Sequence, residues 1–161
     1  MSIGFLILRL VVGLTLAAHG AQKLSGLSQT AAAFEQLGFV PGRRSALLAG
    51  LAETGAGLLL ALGLFTPGAA AIAVAVMVVA AVSAHVKQGF FAHKGGYEYT
   101  LILGIAALSL AFTGPGALSL DAVLGIRDAG AGWGLAALVF GLAGATVQLA
   151  RRQVAAAQKV Q

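Results

Sequence analysis

Leu8–Leu24 reads LRLVVGLTLAAHGAQKL, an apolar run fit for a membrane-spanning helix that nonetheless carries Arg9, His19 and Lys23. A helix satisfies its own backbone in hydrocarbon, so apolar length decides whether it crosses. A charge inside it costs about 2–3 kcal/mol unless it finds a partner or reaches the interface. On a helix rising about 1.5 Å and turning about 100° per residue, Arg9 lies about 9 Å below the edge of a span that begins at Ile3. Lys23 and His19 fall about 40° and 80° around the axis from it. All three are expected on one face, turned into a helix bundle.

Apolar runs of this kind recur. Ile3–Ala21, Ala46–Phe65, Ala69–Ala84, Tyr99–Thr113 and Gly134–Ala150 read as five spans. The third and fourth are short, which calls for a thinned bilayer or covered ends. Thr66, Pro67 and Gly68 leave room only for a tight turn between the second and third. SQTAAAFEQLGFVPGRR predicts an interfacial helix over about 28–37, with Ser28 as its N-cap and Phe34 and Leu37 toward lipid. GPGALSLDAVLG predicts a brief turn from Ser119 to Leu124, with Asp121 in its first turn, where the helix dipole favours an acid. Residues 1–128 form the membrane core, and 129–161 add a fifth span and a basic tail.

The composition agrees. In 161 residues, 59% are apolar and 9% charged, with a mean hydropathy of +0.94, which leaves no room for a separate soluble domain. The net charge of +5 comes from Lys and Arg in short loops, with no basic stripe interleaved with aromatics, so anionic lipid rather than nucleic acid is the expected counterpart. No cysteine is present, so electron transfer would need a bound cofactor or a partner. MSIGFLIL has no positive charge before Arg9 and reads as a retained span, not a secretory signal. Five spans gather Lys23, Arg43, Arg44, Lys87, Lys94, Arg151, Arg152 and Lys159 on one side against Arg127 on the other. The inside-positive rule makes the first side cytoplasmic, with the N-terminus outside and the C-terminus inside a bacterial inner membrane. Gly50, Gly57 and Ala61, and likewise Ala137, Gly141 and Ala145, form small-residue stripes for close helix packing.

The polar residues supply the candidate site. Glu53 lies about 12 Å into the second span and must be protonated or paired. Arg9 and His19 bracket it in depth, so an Arg9–Glu53 pair is expected, either fixing helix register or holding a ligand. Glu53, His19 and His85 are the catalytic candidates; Arg9, Lys23, Phe90, Phe91, Tyr97 and Glu98 are the ligand-binding ones. In VKQGFFAHKGGYEY, Phe90 and Phe91 would cover a flat ring while His85 and Glu98 exchange its protons. The alternative is an ordinary interfacial loop with an aromatic belt. No HxxxH or HExxH spacing occurs, so no metal is predicted. A haem between His19 and His85 is a weaker alternative to a quinone.

Taken in order, LRLVVGLTLAAHGAQKL (Leu8–Leu24), FEQLGFVPG (Phe34–Gly42), LAETGAGLLLALGLFTPGAA (Leu51–Ala70), MVVAAVSAHVKQGFF (Met77–Phe91), GGYEYTLIL (Gly95–Leu103) and GPGALSLD (Gly114–Asp121) resemble the DoxX family of small bacterial membrane proteins. The resemblance implies an all-α four-helix transmembrane core, to which the fifth span is an addition, and an association with oxidoreductase systems. Relatives include a subunit of thiosulfate:quinone oxidoreductase and members linked to oxidative-stress complexes. Arg9, His19, Lys23, Glu53, His85 and Glu98 occupy the family's polar motif positions. The leading expectation is a redox-associated membrane subunit that binds a quinone-like ring in the cytoplasmic half and anchors soluble redox proteins on its basic face; whether it is itself an enzyme or a non-autonomous subunit of a membrane oxidoreductase stays open. A non-catalytic scaffold and a small-molecule or proton carrier are the alternatives; homo-oligomerisation would give the carrier a path between subunits.

Overall fold

The computed structural model describes residues 2–158, and Lys159 of the basic tail lies outside them. The protein is all-helical over these residues: α1 (Ser2–Ser25), α2 (Leu27–Gln36), α3 (Gly42–Leu62), α4 (Thr66–Ala80), α5 (Glu98–Thr113), α6 (Leu120–Val123) and α7 (Ala131–Gln158). Among the described residues, four helices are long and apolar enough to cross a membrane, which makes this a multi-pass membrane protein. They are α1, α3, α7 and a continuous helix from Thr66 to Gln88. The last is longer than the predicted Ala69–Ala84 span because α4 runs on through a π-helical turn at Ala81–His85 and a 3₁₀ turn at Val86–Gln88. α5 remains the short one, with 16 residues.

Backbone contact at glycines sets the packing. α1 and α3 run antiparallel with Gly13 against Gly57 and Gly20 against Gly50. A methyl group on Gly13 would lie 2.5 Å from both the Gly57 carbonyl oxygen and the Ala61 amide nitrogen. Such closeness suits a bilayer, where dispersion between touching backbones replaces the hydrophobic effect as the glue. Gly55 on the same helix has open space at its missing Cβ. Gly57→Ala is therefore expected to cost about 2 kcal/mol by forcing the helices apart, and Gly55→Ala to be neutral or slightly stabilising. Thermal unfolding of the two variants in detergent checks this; equal midpoints would refute the packing argument.

α4 and α5 pack around alanines such as Ala70, Ala73, Ala107 and Ala111, all buried, in one core with Val12 and Leu16 of α1. α7 lies parallel to α4, with Gly141 against Ala71 and Val74. The outer faces are apolar and exposed, as at Val11, Leu58, Ile102 and Phe140, and form the lipid-facing surface. By connectivity Lys23, Arg43, Arg44, Lys87, Lys94, Arg151 and Arg152 share one end of the bundle, the basic end.

α2 caps this end. Its N-cap is Gly26 rather than the expected Ser28, and no side chain caps it there. At its other end Glu35 accepts a hydrogen bond from the Gly42 amide at 3.2 Å, tying it to the start of α3.

Candidate functional site

Arg9 does not pair with Glu53. Its guanidinium donates to the carbonyls of Ala61 and Leu118 instead, at the end of the bundle opposite the basic end. The glycine register explains this, because it sets residue 9 level with residue 61. Side chains also lean toward the N-terminus of their own helix, so in this antiparallel pair Arg9 and Glu53 lean away from each other. Lys23 and Glu53 lean together for the same reason, and they form the only ion pair among the described residues. Lys23, expected among the ligand-binding residues, is the counter-ion of a carboxylate that is 4% exposed.

At its own end Arg9, itself 1% exposed, does a structural job. It supplies protons to a carbonyl in the last turn of α3, where the helix dipole favours a cation. Asp121 supplies the mirror image. Its carboxylate accepts from the amides of Phe65 (2.8 Å) and Thr66 (3.1 Å) and from the Thr66 hydroxyl (2.7 Å). It thus caps the N-terminus of α4 rather than that of its own short helix, where Ser119 is the cap. Arg9 and Asp121 close the two facing ends of the α3–α4 turn.

The other expected face also divides. His19 is exposed on the outer side of α1, its ring 5.4 Å from that of Tyr99. The 80° offset is enough to carry it off the α1–α3 seam. It therefore does not join Lys23 inside the bundle, and it does not line the groove that His85 lines.

That groove is the candidate site. It lies between α3, α4 and α7 and is roofed by α2, with a volume of about 330 Å³, at the lower end of the range for small-molecule sites. Leu48, Val76 and Val79 make its walls apolar. Lys23, Glu53, Ser83 and His85 bring polar groups into it. Ser83 and His85 belong to the π-helical turn, whose wider spacing shifts side chains from their α-helical directions, a feature often found at functional sites. Phe34 and Leu37, expected to face lipid, line the groove instead, because α2 folds back on α3.

His85 is held in a defined state. Its Nδ1 is 2.8 Å from the Gly95 carbonyl, which can only accept, so Nδ1 carries a proton and Nε2 is the position free to exchange one. Glu98 is not hydrogen-bonded to it. The Glu98 carboxylate accepts from the Ala92 amide at 2.9 Å and braces the loop between α4 and α5. In that loop Phe90 meets Phe91 and Tyr97 edge to face, with ring centroids 5.4 and 5.6 Å apart, and none of the three lines the groove.

Of the sequence candidates, the groove therefore unites Glu53, Lys23 and His85 and leaves out His19, Arg9, Phe90, Phe91, Tyr97 and Glu98. Ser83 and Gln148 also line it, and no motif or spacing marks either in the sequence. A polar residue at the end of an apolar helix looks like an interface anchor unless the neighbouring helix is known. Near Glu53, the Thr54 hydroxyl is buried with no hydrogen-bond partner among the described residues. No group of three or more His, Cys, Asp or Glu suited to a metal ion occurs among the described residues.

Residues 4–86 match the model of the DoxX family. No curated protein and no solved structure matches the chain. The match runs from α1 to just past His85, so it takes in Lys23, Glu53 and His85 and ends before α5 and α7.

Proposed function

The chain belongs to the DoxX family, and from that membership we propose that it is a redox-associated membrane subunit holding a quinone-class ring in the groove beside Lys23, Glu53 and His85. The observation that carries this is the lining of the groove: apolar walls on three helices with an acid, an amine and an imidazole converging on one cavity. Apolar walls suit a ring and the start of its tail, and the three titratable groups suit ring oxygens.

A quinone-class ring supplies, when bound, reversible two-electron chemistry coupled to protons at its two oxygens. The protein's share is binding and proton handling. Lys23 pairs directly with Glu53 and donates to a ring oxygen as the pair opens. Glu53 receives a proton once Lys23 turns away. His85 exchanges one at Nε2 while Gly95 fixes its other nitrogen. The basic end faces the cytoplasm of a bacterial cell by the inside-positive rule and attracts acidic soluble redox partners there. Lipid extraction of protein purified in several mild detergents, followed by mass spectrometry, is expected to yield stoichiometric quinone. Its absence in every detergent would refute the reading.

The completed Lys23–Glu53 pair favours a second reading, a scaffold in which the pair only fixes helix register. Glu53→Gln separates the two. A scaffold keeps its partners and any redox activity of the assembled complex, whereas a site loses activity with the complex intact.

A further inference from the structure

The fifth span has no counterpart in the family match, yet it forms one wall of the groove: Gly144 and Gln148 of α7 line it together with Glu53 and His85. α7 is also fastened there. The Arg152 side chain donates to the Leu37 carbonyl, and its guanidinium lies 5.9 Å from the centre of the Phe39 ring. Leu37 itself lines the groove. One arginine thus joins the α7 wall to the α2 roof.

We infer that α7 is part of the ligand site and that Gln148 is a ring-binding residue. The inference rests on the quinone reading above and assigns Gln148 a task the three titratable groups perform less well. A carboxamide carries both a donor and an acceptor and does not titrate. It donates to a ring carbonyl and accepts from a ring hydroxyl, so it holds the oxidised and reduced forms alike without exchanging a proton. Gly144 leaves open the volume beside it. Its missing Cβ is 3.6 Å from the Ala75 Cβ, an ordinary contact, so a side chain fits there beside Ala75 at the groove wall. Arg152 is a positioning residue that keeps roof and wall together.

The test is binding of a decyl-substituted benzoquinone to the full-length protein in detergent, measured by titration calorimetry, with Gln148→Leu, Gly144→Leu and Val147→Leu compared with the wild type. Val147 is exposed on the same helix and serves as the control. Gln148→Leu is expected to weaken binding roughly tenfold by losing one hydrogen bond, Gly144→Leu to weaken it more by filling the groove, and Val147→Leu to leave it unchanged. Should Gly144→Leu fail to elute as a monodisperse species, Gln148→Leu carries the comparison alone. Wild-type binding with Gln148→Leu and every folded groove variant equal to it would overturn the inference while leaving the quinone reading standing. No binding by the wild type would overturn both.

Discussion

Asp121→Ala is expected to destabilise the protein by about 4 kcal/mol, a larger loss than for Gly57→Ala, Arg9→Met or Lys23→Met, although Asp121 belongs to a short connecting segment. Its carboxylate, 2% exposed, accepts three hydrogen bonds from Phe65 and Thr66, and hydrogen bonds to a charged group contribute roughly 1.5–3 kcal/mol each. Removing it leaves two helix-end amides and a fully buried hydroxyl without an acceptor. It also releases Phe65, which holds a φ of 48°, a left-handed conformation costing a non-glycine residue on the order of 1 kcal/mol. The Asp121 amide donates to the Gly63 carbonyl at 2.8 Å, so the start of α6 is anchored to the turn through the backbone as well. Asp121→Asn keeps one acceptor oxygen but turns an N–H toward donors, and roughly half the loss is expected. The measurement is the thermal midpoint in detergent, with a drop of roughly 10 °C for Asp121→Ala. A midpoint within roughly 2 °C of the wild type would refute the capping role. Arg9→Met should cost less, about 2 kcal/mol, because it also removes a buried charge whose Nε has no partner among the described residues.

The second large effect is non-additive. Lys23→Met strands the Glu53 carboxylate, 4% exposed, in an apolar surrounding, and about 3 kcal/mol is expected to be lost. Glu53→Gln alone should cost about 1 kcal/mol, because the Lys23 side chain, 28% exposed, can swing toward the basic end and recover hydration. The double variant is expected to be more stable than Lys23→Met by about 1–2 kcal/mol, since nothing charged then remains to be buried. Thermal midpoints for the four proteins close the cycle. Strict additivity would mean that the pair seen between α1 and α3 contributes no coupling.

Helix positions could be read from local sequence because hydropathy is a local property. α1, α3 and α7 fall where 18 or so apolar residues run together, and the Thr66-Pro67-Gly68 turn follows from three residues. The α1–α3 register was also written in the chain, in the matching seven-residue spacings of Gly13 with Gly20 and of Gly50 with Gly57. Taken together, those spacings pair residue 9 with 61 and exclude Arg9–Glu53. The identity of Arg9's partners was not readable, because Ala61 and Leu118 act through backbone carbonyls that every residue possesses.

The sequence by itself determined an all-helical membrane protein, its crossings, the basic end, and the need of Glu53 for a partner, since each follows from composition along a helix and the cost of charge in hydrocarbon. Only the tertiary structure decided that the partner is Lys23, that Asp121 serves a helix 55 residues away from it, and that α7 walls the groove. These depend on which helix faces turn toward each other. In a bilayer that choice is made by small residues letting backbones touch, and hydropathy carries no record of it.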